Sequence, residues 1–179
     1  MISNKRYMPR IGDGVIGIIA DKTGDYYTVN IFSGHPCLMS RLAFDGATKR
    51  NKPELNRGDL VYAHITTTKY DSDTEITCHA LWGPKKDWST GEAIYGELPM
   101  GLLVKTSPQN ACRMLQPENS LLTALSRYFC FEVTIGLNGA VWLRSFDNSA
   151  VDMIVIRNAI LCADGLDEAQ IIAMVDELV

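Results

Sequence analysis

A basic segment in the first half of the chain carries the side chains best suited to contact phosphate. Lys49, Arg50 and Lys52 lie within four consecutive residues, and Arg41 precedes them. Lysine and arginine in such a segment can pair with phosphates, which gives affinity without a choice of base. The alternative is an ordinary solvated loop between two strands, and the residues alone favour neither interpretation.

Aromatic side chains in the same half could stack on unpaired bases. They are Tyr26, Tyr27, Phe32 and Phe44. Alternate residues of a strand must face the interior, so at least two of the four are expected in the core. Tyr27 is the aromatic residue that we include with Lys49, Arg50, Lys52 and Arg41 as a candidate nucleic-acid contact.

The charge of the chain is unevenly distributed. The formal net charge is −4, which by itself gives no support for a nucleic-acid-binding protein. Residues 1–79 carry ten Lys/Arg and nine Asp/Glu, whereas residues 80–179 carry seven and twelve. A contact with a polyanion is therefore expected in the first half, where the basic segment lies.

The composition is typical of a globular protein. Hydrophobic residues make up 46% of the 179 residues and charged residues 21%, which excludes general disorder. No apolar run approaches the ~20 residues that span a bilayer. The first six residues lack the apolar stretch of a secretory signal. We therefore predict a soluble intracellular protein.

Catalytic and metal chemistry find little support in the residue pattern. The five cysteines are odd in number and no pair has C-x-x-C spacing. No P-loop and no local Ser/His/Asp pattern is present. The acidic pairs Asp71/Asp73 and Asp167/Glu168 are typical of a turn and of the first turn of a helix. We predict no catalytic residue, no bound metal and no cofactor.

The elements that must position the basic segment are short strands. Apolar or alternating runs between Gly, Pro and Asp turn signals predict strands near residues 15–19, 27–31, 37–39, 60–65 and 75–79. The basic segment lies between the third and the fourth. Five short strands in about 70 residues predict a small antiparallel barrel of the OB type.

The second half alternates strands with helices. A strand over residues 98–104 precedes Ser107-Pro108, which supply an N-cap and a first helical residue. A second helix near Ser120, strands over 129–135 and 140–144, a helix after Asn148-Ser149 and a terminal helix after Asp167 follow. The predicted order is β-α-α-β-β-α plus one helix. We place a first domain at residues 1–80, a junction at 81–96 and a second domain at 97–179.

Three groups of residues carry a family resemblance. Glycine–aspartate turns occur at residues 12–14, 24–25 and 58–59. The stretch from Leu42 to Pro53 reads Leu-Ala-Phe-Asp-Gly-Ala-Thr-Lys-Arg-Asn-Lys-Pro. Gly136-Leu137-Asn138-Gly139 forms a G-x-N-G motif, with Trp142 after it. In these features the chain resembles the S1–KH cap subunits of the eukaryotic RNA exosome, of the component-three (ribosomal RNA-processing protein forty) family.

The resemblance implies a five-stranded antiparallel S1 barrel of OB type followed by a type I-like KH domain of the α/β class. It implies a non-catalytic RNA-binding cap subunit that guides RNA into the channel, stabilises the ring and so supports 3′-to-5′ RNA processing and degradation. The implied partners are RNA, bound weakly and without sequence preference, RNase-PH-like ring subunits and other cap subunits, with no membrane. The implied location is the nucleus, the nucleolus and the cytoplasm. Family members have an additional N-terminal domain, whereas only a few residues precede the barrel here.

The G-x-N-G motif has two interpretations. An RNA-binding KH domain clamps the phosphate backbone with a G-x-x-G loop between its first two helices. Here that connection is Gln116-Pro117-Glu118-Asn119, which has no glycine and one acid. Gly136, Asn138 and Gly139 lie between two predicted strands, where Asn-Gly is a hairpin signal. We therefore interpret them, together with Trp142, as a structural motif.

Two other functions remain open on the sequence. One is a stand-alone S1/KH RNA-binding module related to ribosome or RNA maturation. The other, a ribonuclease in its own right, has the least support, because the chain offers no metal or acid–base constellation.

Overall fold

Alternation of apolar and polar residues builds a closed barrel from the first part of the chain. The structure is a computed structural model and describes residues 7–69, 72–82, 85–90, 92–147 and 149–178. It divides into two compact units, residues 1–99 and 100–179. The strands of the first unit are β1 (Gly14–Thr23), β2 (Tyr26–Asn30), β3 (Cys37–Phe44), β4 (Leu60–Lys69), β5 (Ser72–Cys78) and β6 (Gly96–Leu98). All five predicted strands are present.

The barrel is mixed, which corrects the prediction of an antiparallel one. Its strands follow the order β1-β2-β3-β5-β4, and β4 pairs with β1 to close the ring. The β3–β5 pair is parallel, with Met39 opposite Ile76, and the other pairs of the ring are antiparallel. The reason is geometric: strand direction cannot alternate around a closed ring with an odd number of members. At least one pair must run parallel.

The strand predicted over residues 98–104 is divided in two. Its first part belongs to β6, which pairs with β4 and places Leu98 opposite Leu60. Its second part is β7 (Leu102–Lys105), which belongs to the second unit. Pro99 lies directly after β6, and proline has no N–H to donate to a sheet. A single strand through this point is therefore disfavoured.

The core of the first unit is the barrel interior. Fully buried side chains of this interior include Val15, Tyr27, Val29, Met39, Val61 and Ile65. Trp88, in a short 3-10 turn over Trp88–Thr90, packs partly buried against this core together with Tyr95. These two residues extend the packing of the first unit beyond its five barrel strands.

The second unit has the predicted order of elements. After β7 come α1 (Pro108–Met114), α2 (Ser120–Leu125), β8 (Phe131–Ile135), β9 (Ala140–Ser145), α3 (Ala150–Cys162) and α4 (Glu168–Leu178). The three strands form an antiparallel sheet in the order β7-β9-β8. Buried side chains of the helices and of this sheet form one core that includes Val104, Leu121, Leu125, Val141, Leu143 and Ile160.

The helix starts follow local capping chemistry. Ser107 accepts a hydrogen bond from the N–H of Asn110, and Ser149 accepts one from Asp152, as the sequence predicts. The second helix differs by one residue, because Asn119 rather than Ser120 is its N-cap. Asn119 accepts from the N–H of Leu122 and also donates to the carbonyl of Arg113. The Asn119 side chain therefore contacts both neighbouring helix ends, the last turn of α1 and the first turn of α2.

Candidate nucleic-acid interface

The basic segment lies in the connection between β3 and β4, residues 45–59, which we call the basic loop. Its first residue, Asp45, is buried at the end of β3. The Asp45 carboxylate accepts a hydrogen bond from Nδ1 of His79 at 3.0 Å and one from the N–H of Ala80 at 2.7 Å. Its backbone carbonyl accepts from the N–H of Trp88 at 2.9 Å. The start of the loop is thereby fixed to the segment that follows β5.

The tip of the basic loop presents its cations to solvent. Thr48 donates its N–H to the carbonyl of Asn51 at 2.8 Å, and Asn51 donates its N–H to the Thr48 hydroxyl at 3.1 Å. Lys49 and Arg50 lie between these two residues and are exposed. In the described part of the chain, no carboxylate lies within ion-pair distance of either side chain. Both charges are thus available to an external anion.

The second half of the loop is anchored on Tyr27. The Tyr27 hydroxyl donates to the Pro53 carbonyl at 3.3 Å and accepts from the Leu55 N–H at 3.2 Å. Pro53 and Leu55 are themselves buried. Tyr27 is fully buried, so its ring has no open face for a base. Its part in the candidate interface is to hold the loop rather than to stack, which corrects the stacking role considered for it.

Arg41 lies beside Tyr27 and is paired. Its guanidinium contacts the Glu54 carboxylate at 2.5 Å and the Gly24 carbonyl at 3.4 Å. Lys22, on β1, pairs with the other oxygen of the same carboxylate. The Lys22 nitrogen is 6.0 Å and the Arg41 guanidinium carbon 5.8 Å from the centroid of the Tyr27 ring. The two cations therefore cover the buried ring from the solvent side.

Three cations, Lys22, Arg41 and Lys52, act on the single carboxylate of Glu54. The hydrogen bond from Lys22 holds the pKa of Glu54 below its ordinary value, and the charges of Arg41 and Lys52 act in the same direction. Glu54 is therefore ionised at neutral pH and compensates only part of the positive charge around it. Together with the loop tip, this gives five basic side chains around Glu54 and the tip of the basic loop: Lys22, Arg41, Lys49, Arg50 and Lys52.

Sequence reasoning missed Lys22 and Glu54. Lys22 is a single basic residue far from the segment of Lys49, and nothing local distinguishes it. The signal that could have found it is the hairpin register, because the turn at residues 24–25 places Lys22 directly opposite Tyr27. Glu54 could have been noted as the acid two residues after the basic segment.

The aromatic candidates separate as strand alternation requires. Tyr27 and Phe44 are buried, Phe32 is half-buried and Tyr26 is 49% exposed. Tyr26 lines an open groove of about 400 Å³ on the outer side of the barrel strands, together with Leu42 and His79. Of the four aromatic side chains, Tyr26 offers the largest exposed ring surface to a base.

The G-x-N-G motif forms the turn between β8 and β9. Gly136 donates to the Ala140 carbonyl at 2.8 Å, and Gly139 donates to the Gly136 carbonyl at 3.0 Å. Gly139 has a φ of 79°, and a Cβ there would lie 2.4 Å from the carbonyl oxygen of Thr106. Asn138 and Trp142 are buried. This arrangement is what the structural interpretation of the motif requires.

The connection between α1 and α2 lacks the features of a phosphate clamp. It contains Glu118, whose φ of 63° lies in the left-handed region that usually favours glycine. A carboxylate at this point repels phosphate. The side chains that lie where an RNA-binding KH domain would hold the backbone are therefore unsuited to that task.

The described ranges contain no group of three or more His, Cys, Asp or Glu side chains that could hold a metal ion. Asp71, one member of a predicted acidic pair, lies outside those ranges, and Glu168 of the other pair begins α4. Among the helices that the structure describes, none has the length and apolar character required to cross a membrane.

Comparison with known proteins identifies both units. A family model described as exosome complex component RRP40, S1 domain, matches residues 7–97, and a KH domain model matches residues 101–148. A crystal structure of a protein described as an exosome complex RNA-binding protein superposes with a TM-score of 0.69 at 22% identity, over 97% of each chain. This agreement shows the fold, an S1/OB-like barrel followed by a KH-like unit.

Curated relatives extend the match along the chain. The exosome complex component rrp40 of Schizosaccharomyces pombe is 37% identical over 93% of this chain and 67% of its own length. The bovine exosome complex component RRP40 is 34% identical over 79% of this chain, but the match covers only 49% of its own length. The chain thus spans between about half and two thirds of these relatives. By this similarity and the matching S1 model, the chain belongs to the family of exosome complex component RRP40.

Proposed function

We propose that the chain is a non-catalytic RNA-binding cap subunit of an exosome, which guides RNA into the channel and stabilises the ring. Its partners are RNA, RNase-PH-like ring subunits and the other cap subunits, and its location is the nucleus, the nucleolus and the cytoplasm. Hydrolysis in 3′-to-5′ processing is then performed by other subunits. Family membership supports the assembly, since the relatives are named as exosome components.

The observation that carries RNA binding is the way the basic loop is held. Hydrogen bonds of the buried residues Asp45 and Tyr27 fix the start and the second half of the loop, while Lys49 and Arg50 stay exposed at its tip. A loop backbone that the fold already holds in place loses little freedom when its cations bind phosphate. Contacts of this kind give weak, salt-sensitive binding without a choice of sequence.

Fluorescence anisotropy with a labelled single-stranded oligonucleotide tests this proposal. The K49A/R50A/K52A variant is expected to bind about tenfold more weakly, with a salt slope shallower by about 2, since each lost phosphate contact removes ~0.7. A matched variant removes three exposed arginines of the second unit, Arg127, Arg144 and Arg157, and changes the net charge equally. That control is expected to bind RNA nearly as the parent does. Equal effects of the two variants would contradict an RNA contact at the basic loop.

Purification of the native protein tests the assembly. A cap subunit is expected to elute in a large complex with ring subunits that mass spectrometry identifies, whereas a stand-alone module would elute as a single small protein. The isolated chain is expected to leave RNA intact with magnesium or manganese. Degradation that follows the purified chain through successive columns would contradict the non-catalytic role.

A further inference from the structure

One ion-pair cluster on the barrel has the geometry of an occupied anion site. Glu54 presents one carboxylate oxygen to Lys22 and the other to Arg41. The two cations come from different strands, Lys22 from β1 and Arg41 from β3. A phosphodiester also presents two anionic oxygens on one centre, so the same pair of cations could hold it.

Arg41, one of the two cations of this cluster, is held by the fold. Arg41 is largely buried, with 16% of its side chain exposed, and it also donates to the Gly24 carbonyl. Its Nε is buried and has no hydrogen-bond partner within the described ranges. Lys22 and Arg41 both lie against the Tyr27 ring. The Arg41 guanidinium therefore keeps its position if the carboxylate leaves, and it retains an unused donor.

The carboxylate is the mobile member. The Glu54 side chain is 58% exposed, while the buried residues Pro53 and Leu55 on either side fix the backbone. The pair of Glu54 with Lys22 is exposed on both sides and contributes little net stability, and an external anion that replaces Glu54 keeps Arg41 paired, so the exchange has a small cost. A phosphate of RNA also releases bound counterions when it is neutralised, a gain that the carboxylate of the protein does not provide.

We propose that Lys22 and Arg41 form a second phosphate subsite beside the basic loop, which Glu54 occupies in the free protein and thereby weakens RNA binding. The inference deepens the RNA-binding role proposed above and rests on it. Each RNA phosphate that enters the subsite displaces the Glu54 carboxylate towards solvent. RNA binding then includes a built-in competition, and its salt dependence is lower than the number of cations suggests.

The experiment compares E54Q with the parent protein in anisotropy titrations with a labelled single-stranded oligouridylate. Glutamine keeps the size of the side chain and removes the competing charge. E54Q is expected to bind about threefold or more tightly at low salt, with a slope of log affinity against log salt that is steeper by about 0.7 to 1.4, for one or two further phosphate contacts. The K22Q/E54Q double variant is expected to lose most of this gain.

The matched control is E177Q, which makes the same charge change on an exposed residue of α4. It is expected to leave affinity and slope nearly unchanged. Unchanged or weaker binding by E54Q would overturn the subsite, and so would an equal gain in E177Q or a gain that K22Q does not reduce. If the basic-loop variant K49A/R50A/K52A binds as the parent does while E54Q binds more tightly, the loop contact fails and the subsite stands. Absence of RNA binding by both the parent and E54Q would overturn both proposals.

Discussion

The hydroxyl of Tyr27 accepts a hydrogen bond from the N–H of Leu55, 28 residues further along the chain, at 3.2 Å. Both residues are fully buried. The bond links β2 to the second half of the basic loop, close to Glu54 and its cations. A single buried hydroxyl therefore fixes the backbone around a charged surface site.

Replacing Tyr27 by phenylalanine is expected to destabilise the protein by about 1–3 kcal/mol, because the Leu55 N–H then loses its partner and cannot reach water. Urea unfolding followed by fluorescence measures the change. The Y26F variant is the control, since Tyr26 is the neighbouring tyrosine and is half exposed. A Y27F protein as stable as Y26F would show that the hydroxyl does not hold the loop.

Replacing Asp45 by asparagine is expected to destabilise the protein by about 1–3 kcal/mol. The carboxylate accepts from both His79 and Ala80, whereas an amide offers one acceptor and turns a donor towards the other group. The D164N variant provides the control, because Asp164 is exposed. Thermal unfolding measures both, and similar melting temperatures for the two variants would contradict the anchoring role of Asp45.

Stability is expected to fall as the pH drops below about 6.5, the ordinary pKa of histidine. His64 is buried beside the Tyr95 ring, and burial lowers the pKa of His64, with the charge of His79 acting in the same direction. A lowered pKa in the folded state means that the unfolded state binds more protons just below pH 6.5, so acid favours unfolding.

Urea midpoints at about pH 7.5 and about pH 5.5 measure this effect on either side of the ordinary histidine pKa. The H64F variant is expected to show a smaller difference between the two midpoints than the parent does. H35Q removes an exposed imidazole and is expected to keep the difference of the parent. A pH dependence in H64F as large as that of the parent would assign the effect to other groups.

A comparison of Gly139, in the G-x-N-G motif, with Gly165, which follows α3, separates the cost of backbone strain from the cost of overpacking. Both have positive φ, at 79° and 87°, but a Cβ on Gly139 meets the Thr106 carbonyl whereas one on Gly165 meets nothing within 4 Å. G165A is expected to lose about 1 kcal/mol from strain alone, and G139A about 2–4 kcal/mol from strain and overpacking together. RNA affinity per folded molecule is expected to change little in either. A well-folded G139A protein that no longer bound RNA would make the motif an RNA clamp.

The strands and helices could be predicted because their signals are local. Ser107-Pro108 opens α1 with its own cap, and the turn at residues 24–25 separates β1 from β2 without help from the rest of the chain. Pro99 was equally visible, and it should have divided the strand predicted through it. The parallel β3–β5 pair was also deducible once five strands were placed in a closed ring.

The charged cluster could not be predicted in the same way. Lys22 and Arg41 are 19 residues apart in the sequence, and they meet at Glu54 only through the register of the barrel. The role of Tyr27 depends on the same register, because its hydroxyl reaches a loop that the chain forms later. The local sequence pattern assigns the basic side chains to the first unit. The three-dimensional register of the barrel decides which of them form ion pairs with a carboxylate.

The pairing of β6 with β4 determines where the chain can be cut. Leu60 and Tyr62 have β1 on one side and β6 on the other, through Leu98 and Gly96. A fragment that ends at residue 80 would expose this length of β4 as a bare strand edge, which is a template for pairing with another chain. Such a fragment is expected to self-associate in sedimentation experiments, whereas one that ends at residue 99 is expected to stay monomeric. The three-residue strand β6 thus covers the edge of β4 and prevents its pairing with another chain.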